Sequence, residues 1–432
     1  MLDLNSHITR LKSSVFAKQI GILSSGNAIS YVLAFAAIPI LTRVFPKESF
    51  DWLTLYLSVI SIGGVVVSLQ YEQAIVVCKE KQEIAKLFFL SILSATIITI
   101  LLGVLALIVS QIYTVGVILE KYPTSFIFYT LFGTWIAAVY QSTMQALNKL
   151  QRYKLMSYSK VLVAFLTVFI QFILWQFPLA VILLALVAGH VFGKGISLFL
   201  AFKQCAILIK EALNYSFESY KQLVHKFSDF QKFNLVAVLI DRVAFELPVF
   251  LITLWFTESL ADYGMAYRVL MVPMALFCTS YSQVFMRKAS DLWNEGQDIR
   301  PLIKKTWLFI GGFLIVPFIV LMVFGAQIFG VVFGQEWSEA GKIAAFLVPF
   351  QWASAMSSTT SVTYSVIRKQ RFMVIFSTIS VVYRIGSFAL GYYLGNFETA
   401  LIAFSISHIT ALIFYNGIML RYANPANKLE VN

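Results

Sequence analysis

"LPVFLITLWFTESLADYGMAY", residues 247–267, has a counterpart in "IPILTRVFPKESFDWLTLY", residues 38–56. Pro248 answers Pro39, Glu258 and Ser259 answer Glu48 and Ser49, and Tyr267 answers Tyr56, with an offset that drifts only from 209 to 211. Each piece joins one apolar stretch to the next through a short polar break. Chance likeness between apolar segments would not reproduce the break and the proline together. The chain therefore reads as a duplicated unit.

The duplicated unit belongs in a membrane. Of 432 residues, 59% are hydrophobic and 12% charged, and the mean hydropathy is +0.79. A soluble domain is about a quarter charged. Twelve apolar segments are long enough to cross a bilayer, which takes about 20 residues each. They run over 19–42, 52–77, 87–110, 123–147, 155–177, 179–202, 233–256, 263–285, 306–332, 343–366, 373–394 and 398–420. Six per copy is an even number, so the copies share an orientation and are related by an axis along the membrane normal. The expected fold is all-α and integral to the membrane, with about 12 transmembrane helices in two parallel, pseudosymmetric six-helix lobes. The expected lobes are residues 1–202 and 233–432, joined by a cytoplasmic amphipathic linker at 203–232. Residues 1–18 carry Leu4, Ile8, Leu11 and Val15 on one helical face, the pattern of an interfacial helix leading into the first span. They lack the apolar core and small-residue cleavage site of a removable signal peptide.

Lys and Arg in the connections set orientation. Of the 33, 24 fall on the side of both termini, against four on the other: Arg43, Lys47, Lys121 and Lys342. Both termini are therefore expected in the cytoplasm. The net charge of +12 is accounted for largely by this topology, so no nucleic-acid partner is expected. Cys78, Cys205 and Cys278 lie far apart, with no CxxC and no histidine cluster, so neither a disulfide framework nor a metal site is expected. "GHVFGKGIS", 189–197, has three residues between its glycines and a Gly after the Lys, unlike a P-loop. Gly189 and Gly193 read as a helix-packing face. No nucleotide or other cofactor is expected.

Five basic residues remain inside spans, Lys160, Lys194, Arg242, Arg268 and Arg384, against three acids, Glu72, Asp241 and Glu246. A charge near the bilayer centre costs at least about 2.5 kcal/mol, so such residues usually face a pathway or a partner. Arg242 and Glu246 are four apart and can pair along one helix face. Asp241 can pair with a base on a neighbouring helix, and Glu72 with cytoplasmic lysines. Lys160 lies near the inner boundary and can reach water along its stem. His190 precedes Lys194 by four and shares its face, while His408 reads as a packing histidine. Pro39 and Pro248 each remove a backbone hydrogen bond in the first helix of a lobe. A hinge there needs neighbours or cavity water to satisfy the freed carbonyl, and the alternative is a static kink.

The order and spacing of "AAIPILTRVF", "FDWLTLYLSVISIGGVV", "LQYEQAIVV", "ELPVFLI", "YGMAYRVLMVPMAL" and "QVFMRKASDLW" resemble the bacterial O-antigen and polysaccharide flippases (Wzx-like), over about residues 15 to 420. That superfamily also holds multidrug extruders and lipid II flippases. The resemblance implies lobes around a central, partly cationic cavity, in a bacterial inner membrane. It implies a cargo of undecaprenyl pyrophosphate carrying an oligosaccharide, in the setting of O-antigen and lipopolysaccharide synthesis. Membrane lipids, a polysaccharide polymerase and the chain-length machinery are the implied partners.

That cargo suits the interior charges. A pyrophosphate needs Arg or Lys donors, and Arg grips it through two bonds. Arg242, Arg384, Lys194, Arg268 and Lys160 are the candidate substrate-binding residues. Asp241, Glu246, Glu72 and His190 are candidates for coupling or charge pairing. Tyr263, Tyr267, Tyr364 and Tyr383 are candidates for cavity walls or for an aromatic belt. No catalytic residue is expected, because the short outer loops leave no room for an enzyme's outer domain. The rival reading is a cation-coupled multidrug or small-molecule exporter of the same superfamily. It should favour buried acids, whereas bases outnumber acids here.

Overall fold

The computed structural model describes residues 2–78, 80–109 and 122–425, with side chains from residue 21 onward except at a few positions. Lys121 and the apolar face of residues 1–18 lie outside what is described. Twelve helices of 22 residues or more follow one another among the described residues. They are α1 (Leu2–Val44), α2 (Lys47–Ser68), α3 (Lys81–Val109), α4 (Thr124–Lys149), α5 (Tyr153–Leu174), α6 (Leu179–Phe202), α7 (Ser228–Trp255), α8 (Leu260–Asn294), α9 (Arg300–Phe333), α10 (Ser338–Thr360), α11 (Arg371–Tyr393) and α12 (Phe397–Tyr422). Each holds all or most of one of the twelve apolar segments; the second, 52–77, breaks at the left-handed Leu69 and Gln70, and the tenth, 343–366, breaks after Thr360. Hydrocarbon offers no partner to a bare N–H or C=O, so an apolar chain crosses it as a helix that satisfies its own backbone.

Eight of the twelve are long and apolar enough to count as membrane spans on length and hydropathy. α7 falls short because it carries Asp241, Arg242 and Glu246. α10 falls short because it ends in "ASAMSSTT". Of these residues, Asp241 on α7 and Ser354, Ser357 and Ser358 on α10 line a cavity described below.

The chain forms two compact units: Met1–Ala37 with Val44–Leu239, and Ile38–Arg43 with Ile240–Asn432. In the first, α5 and α6 pack as a hairpin, and α2, α4 and α6 bring Trp52, Tyr56, Val139 and Val191 into one apolar cluster. In the second, α9 pairs with α10 and α11 with α12. Gly325 of α9 faces Gly341 of α10 so closely that a Cβ on either would strike the other's backbone. The 38–43 piece, which contains Pro39, is tied within the second unit. Arg43 donates to the Val331 carbonyl at 2.9 Å, and the Trp337 indole donates to the Thr42 carbonyl at 3.4 Å.

The 203–232 connection forms two short helices, Ala206–Ala212 and Phe217–Lys226, before α7 begins. They belong to the first unit and pack against its long helices. Leu208, Ala212 and Leu223 enter an apolar cluster with Phe88 and Leu147. Lys86 donates to Ser219 at 2.8 Å and lies 4.8 Å from the Tyr215 ring. Lys226 pairs with the buried Glu83, which holds its ammonium pKa above the ordinary lysine value.

One histidine stands at a like position in the last long helix of each expected copy, though their tyrosine partners come from helices the repeat does not match, α2 and α11. His190 lies eleven positions after the start of α6 at Leu179, and His408 lies eleven after the start of α12 at Phe397. Each takes a tyrosine hydroxyl at Nδ1: Tyr56 on His190 at 3.0 Å, and Tyr383 on His408 at 2.6 Å.

Candidate functional site

The second unit encloses a cavity of about 320 Å³ between α7, α8, α10, α11 and α12. Its walls follow from helical spacing. On α10 and its C-cap, Gln351, Ser354, Ser358 and Ser361 recur at intervals of three and four and form one stripe. On α11, Met373, Ser377, Ser380 and Arg384 form another. α7 adds Asp241, Ala244 and Phe245, α8 adds Tyr267, and α12 adds His408 and Tyr415.

Hydroxyl residues survive in these helices because they bond back to the preceding turn. Thr359 donates to the Ala355 carbonyl at 2.7 Å, Ser380 to Ser377 at 2.7 Å, and Ser358 to Ala355 at 3.3 Å. The oxygens of Ser358 and Ser380, which line the cavity, keep acceptor capacity toward it.

Arg384 is only 8% exposed. Its Nη1 donates to the carbonyl of Ala244, and its guanidinium lies 5.5 Å from the Phe404 ring. Ala244 is four residues before Pro248, so its carbonyl is the one that the missing proline N–H leaves open. The arginine of α11 therefore completes the interrupted ladder of α7. This meets the requirement that a neighbour must satisfy the freed carbonyl. Arg384 Nε and Gln351 Nε2 are sealed from solvent, with the Gln351 side chain against Tyr267 and the Arg384 guanidinium against Tyr383.

His408 is fully engaged. Ser354 meets Nε2 at 2.9 Å, Tyr383 meets Nδ1, and Phe350, Phe376 and Phe404 surround the ring. It packs as expected and leaves neither ring nitrogen to a ligand. Asp241 departs from expectation. Its Oδ1 accepts from Ser377 at 2.9 Å rather than from a base.

The other expected site residues lie apart from this cavity. Arg242 is exposed on α7 and forms no ion pair with Glu246 among the described residues. Glu246 is half-buried on the same helix. Arg268 on α8 is half-buried. In the first unit, Lys194 is half-buried on α6, and Lys160 donates to Asn27 Oδ1 at 2.9 Å. Glu72 is 3% exposed, and its Oε1 accepts from Ser68 and Gln70. The nearby Lys149 donates instead to the carbonyls of Val76 and Cys78. Of the four tyrosines, Tyr267 lines the cavity and Tyr383 braces His408. Tyr263 stacks on Tyr267 with ring centroids 5.9 Å apart, and Tyr364 ties α12 through the Tyr415 carbonyl at 2.6 Å.

The serines and Gln351 were not singled out from the sequence. Their signal was present: "ASAMSSTTS", 353–361, is a dense hydroxyl run at the end of an apolar helix.

Residues 40–342 match a family model described as polysaccharide biosynthesis protein. No curated protein sequence matches the chain. Among solved structures, the lipid II flippase MurJ in an inward closed conformation is similar at a TM-score of 0.70 and 13% identity, over 95% of this chain and 91% of its own. An inward-facing multidrug resistance MATE family transporter of the MOP superfamily is similar at a TM-score of 0.63 and 12% identity, over 92% of this chain and 96% of its own. A MOP superfamily transporter from Pyrococcus furiosus, described as having a binding pocket of reverse polarity, is similar at a TM-score of 0.55 and 13% identity, over 94% of this chain and 96% of its own. At these identities the likeness is one of fold.

Proposed function

The chain belongs to the polysaccharide biosynthesis protein family, and from that premise we propose that it is a flippase for a lipid-linked oligosaccharide. The cargo is undecaprenyl pyrophosphate bearing an O-antigen or related repeat unit. It moves from the cytoplasmic to the periplasmic leaflet of a bacterial inner membrane by alternating access. One observation carries the reading: a chain of this family holds, among its membrane helices, a hydroxyl-lined cavity with a buried arginine. Hydrophilic cargo needs such a wall, and a purely structural helix bundle does not.

In this reading the exposed or half-buried Arg242, Arg268, Lys194 and Lys160 meet the pyrophosphate. The membrane potential supplies part of the drive, about 2.3 kcal/mol per charge for each 100 mV. Pro39 and Pro248 act as hinges. Membrane lipids, a polymerase and the chain-length machinery are the proposed partners.

The test is a deletion strain of the host. Lipid-linked oligosaccharide is expected to accumulate in the cytoplasmic leaflet. Wild-type protein should clear it, and Arg242→Ala or Arg384→Ala at matched membrane levels should not. Absence of accumulation would remove the flippase.

Asp241 in the cavity wall favours a second reading, a cation-coupled exporter of small molecules. That reading predicts drug sensitivity in the deletion strain with normal leaflet distribution of the oligosaccharide.

A further inference from the structure

A second hollow of the second unit, a groove of about 580 Å³, opens on its surface between α9, α10 and α12. α9 and α12 both pack on α10 and form its walls. The groove is deep where its lining is small, at Gly325, Ala326 and Ala345. Its walls are apolar and open. Met322 and Val323 are 44% and 60% exposed, and Ile402 and Ile406 are 43% and 61% exposed. On α12 the lining runs from Glu398 to Ile409. Eleven helical steps cover about 16 Å, about half of a hydrocarbon core of ~30 Å. The groove is one leaflet deep.

Its charged residues stand at one end. Lys342 bonds Glu339 at 2.8 Å, and the charge of Glu398 also acts on it. An ammonium has three donors, so this bond leaves two. Gln327 stands beside Lys342, because Gly325 and Gly341 meet backbone to backbone. The depth of Glu398 follows from the register of α10 and α12. Ser405 donates to the Phe346 carbonyl at 2.8 Å and Ser357 to Asn416 at 2.9 Å, and both pairs are 59 apart in the chain. The two helices therefore run parallel, with Glu398 level with Glu339 and about one turn outside Lys342.

That order selects a headgroup. A phospholipid with a chain in the groove brings its phosphate to Lys342 and the far end of its headgroup to Glu398. Opposite a carboxylate, that far end must be a cation. One base against two acids also disfavours a headgroup that is anionic overall. A phosphodiester ending in a primary amine meets both conditions. The third, fourth and sixth helices of the first unit, α3, α4 and α6, enclose a comparable groove of about 490 Å³, whose described lining holds Phe132, Trp135, Phe192 and Phe199 but no charged residue. The groove recurs with the repeat, and the charged end does not.

We propose that the α9–α10–α12 groove holds one phosphatidylethanolamine from the leaflet on the side of the α9–α10 connection. Its phosphate meets Lys342, its ammonium meets Glu398, and a chain lies along Ile402, Ile406 and Ile409. The proposal gives a chemical class to the membrane-lipid partner named above. It rests on the membrane placement of these helices and not on the identity of the cargo.

The test is native mass spectrometry of the full-length protein, titrated separately with phosphatidylethanolamine, phosphatidylcholine, phosphatidylglycerol and undecaprenyl phosphate. Phosphatidylethanolamine should bind at least about threefold more tightly than the other three, within the range of exposed ion pairs. Glu398→Gln should erase its advantage over phosphatidylcholine, which keeps the phosphate but has no N–H. Ile406→Trp, which fills the groove away from the charged end, should remove one bound phosphatidylethanolamine per protein. Equal binding of all four lipids to wild type would overturn the proposal. So would a phosphatidylethanolamine preference that survives in both variants, which would place the site elsewhere. Tightest binding of phosphatidylglycerol would overturn the headgroup assignment. Tightest binding of undecaprenyl phosphate, lost in Ile406→Trp, would give the groove to a prenyl chain. The flippase reading fails on a different measurement, the leaflet distribution of lipid-linked oligosaccharide in the deletion strain.

Discussion

Arg384, Ala244 and Pro248 form a unit of three residues with one physical cause. Proline has no N–H, so Ala244 keeps an unsatisfied carbonyl inside a membrane helix. Arg384 fills that vacancy from 140 residues away in the chain. A hydrogen bond from a charged donor contributes about 1.5–3 kcal/mol. Arg384→Gln is therefore expected to lower stability by roughly that amount. In a Pro248→Ala background, residue 248 supplies the missing N–H, and the same substitution should cost less by about 1 kcal/mol or more. Thermal unfolding of the two single variants and the double variant measures this coupling. Equal losses in both backgrounds would separate the arginine from the kink. Both residues stood out in the sequence, one as a buried charge and one as a helix breaker. Their meeting was not legible, because nothing local links α7 to α11.

At the scale of the element, the polar stripe of α10 shows how a helix serves two solvents. Ser354, Ser358 and Ser361 face the cavity, while Leu347 and Val348 are buried in protein. The helix can be less apolar than a lipid-facing span because its polar face never meets lipid. Its N-terminal end is fixed by close approach of backbones at Gly325 and Gly341, the small-residue packing that membrane helices use. Gly341→Ala is expected to destabilise by about 1–3 kcal/mol through overpacking. Gly312→Ala, on α9 where an added Cβ meets nothing within 4 Å, should be neutral or stabilising by up to about 1 kcal/mol. Unfolding midpoints of the two variants in the same detergent check the contrast. If Gly341→Ala proves as benign as Gly312→Ala, the two helices do not depend on this contact.

At the scale of the whole molecule, the basic connections predict which ends face the cytoplasm. The three native cysteines are buried, so introduced cysteines report topology against a quiet background. Tyr393→Cys, at an 87% exposed position before α12, is expected to react with a membrane-impermeant thiol reagent in intact cells. Asn214→Cys, between the two short helices of the 203–232 connection, should react only after the membrane is opened. The reverse pattern would invert the orientation, and with it the direction of transport proposed above.

The number, type and order of the long helices were legible in the sequence alone. Backbone groups cannot go unpaired in hydrocarbon, so apolar length translates directly into helices. The repeat was legible for the same reason, since breaks and prolines are local signals. The tertiary structure decided what the charges inside the spans do. Asp241 rests on Ser377, 136 residues away, and Glu72 on Ser68 and Gln70, where ion pairs with bases were expected. Arg384 completes the backbone of another helix. A buried polar group takes whichever partner lies within about 3 Å. For a group facing another helix, only the packing of helices distant in sequence sets that partner.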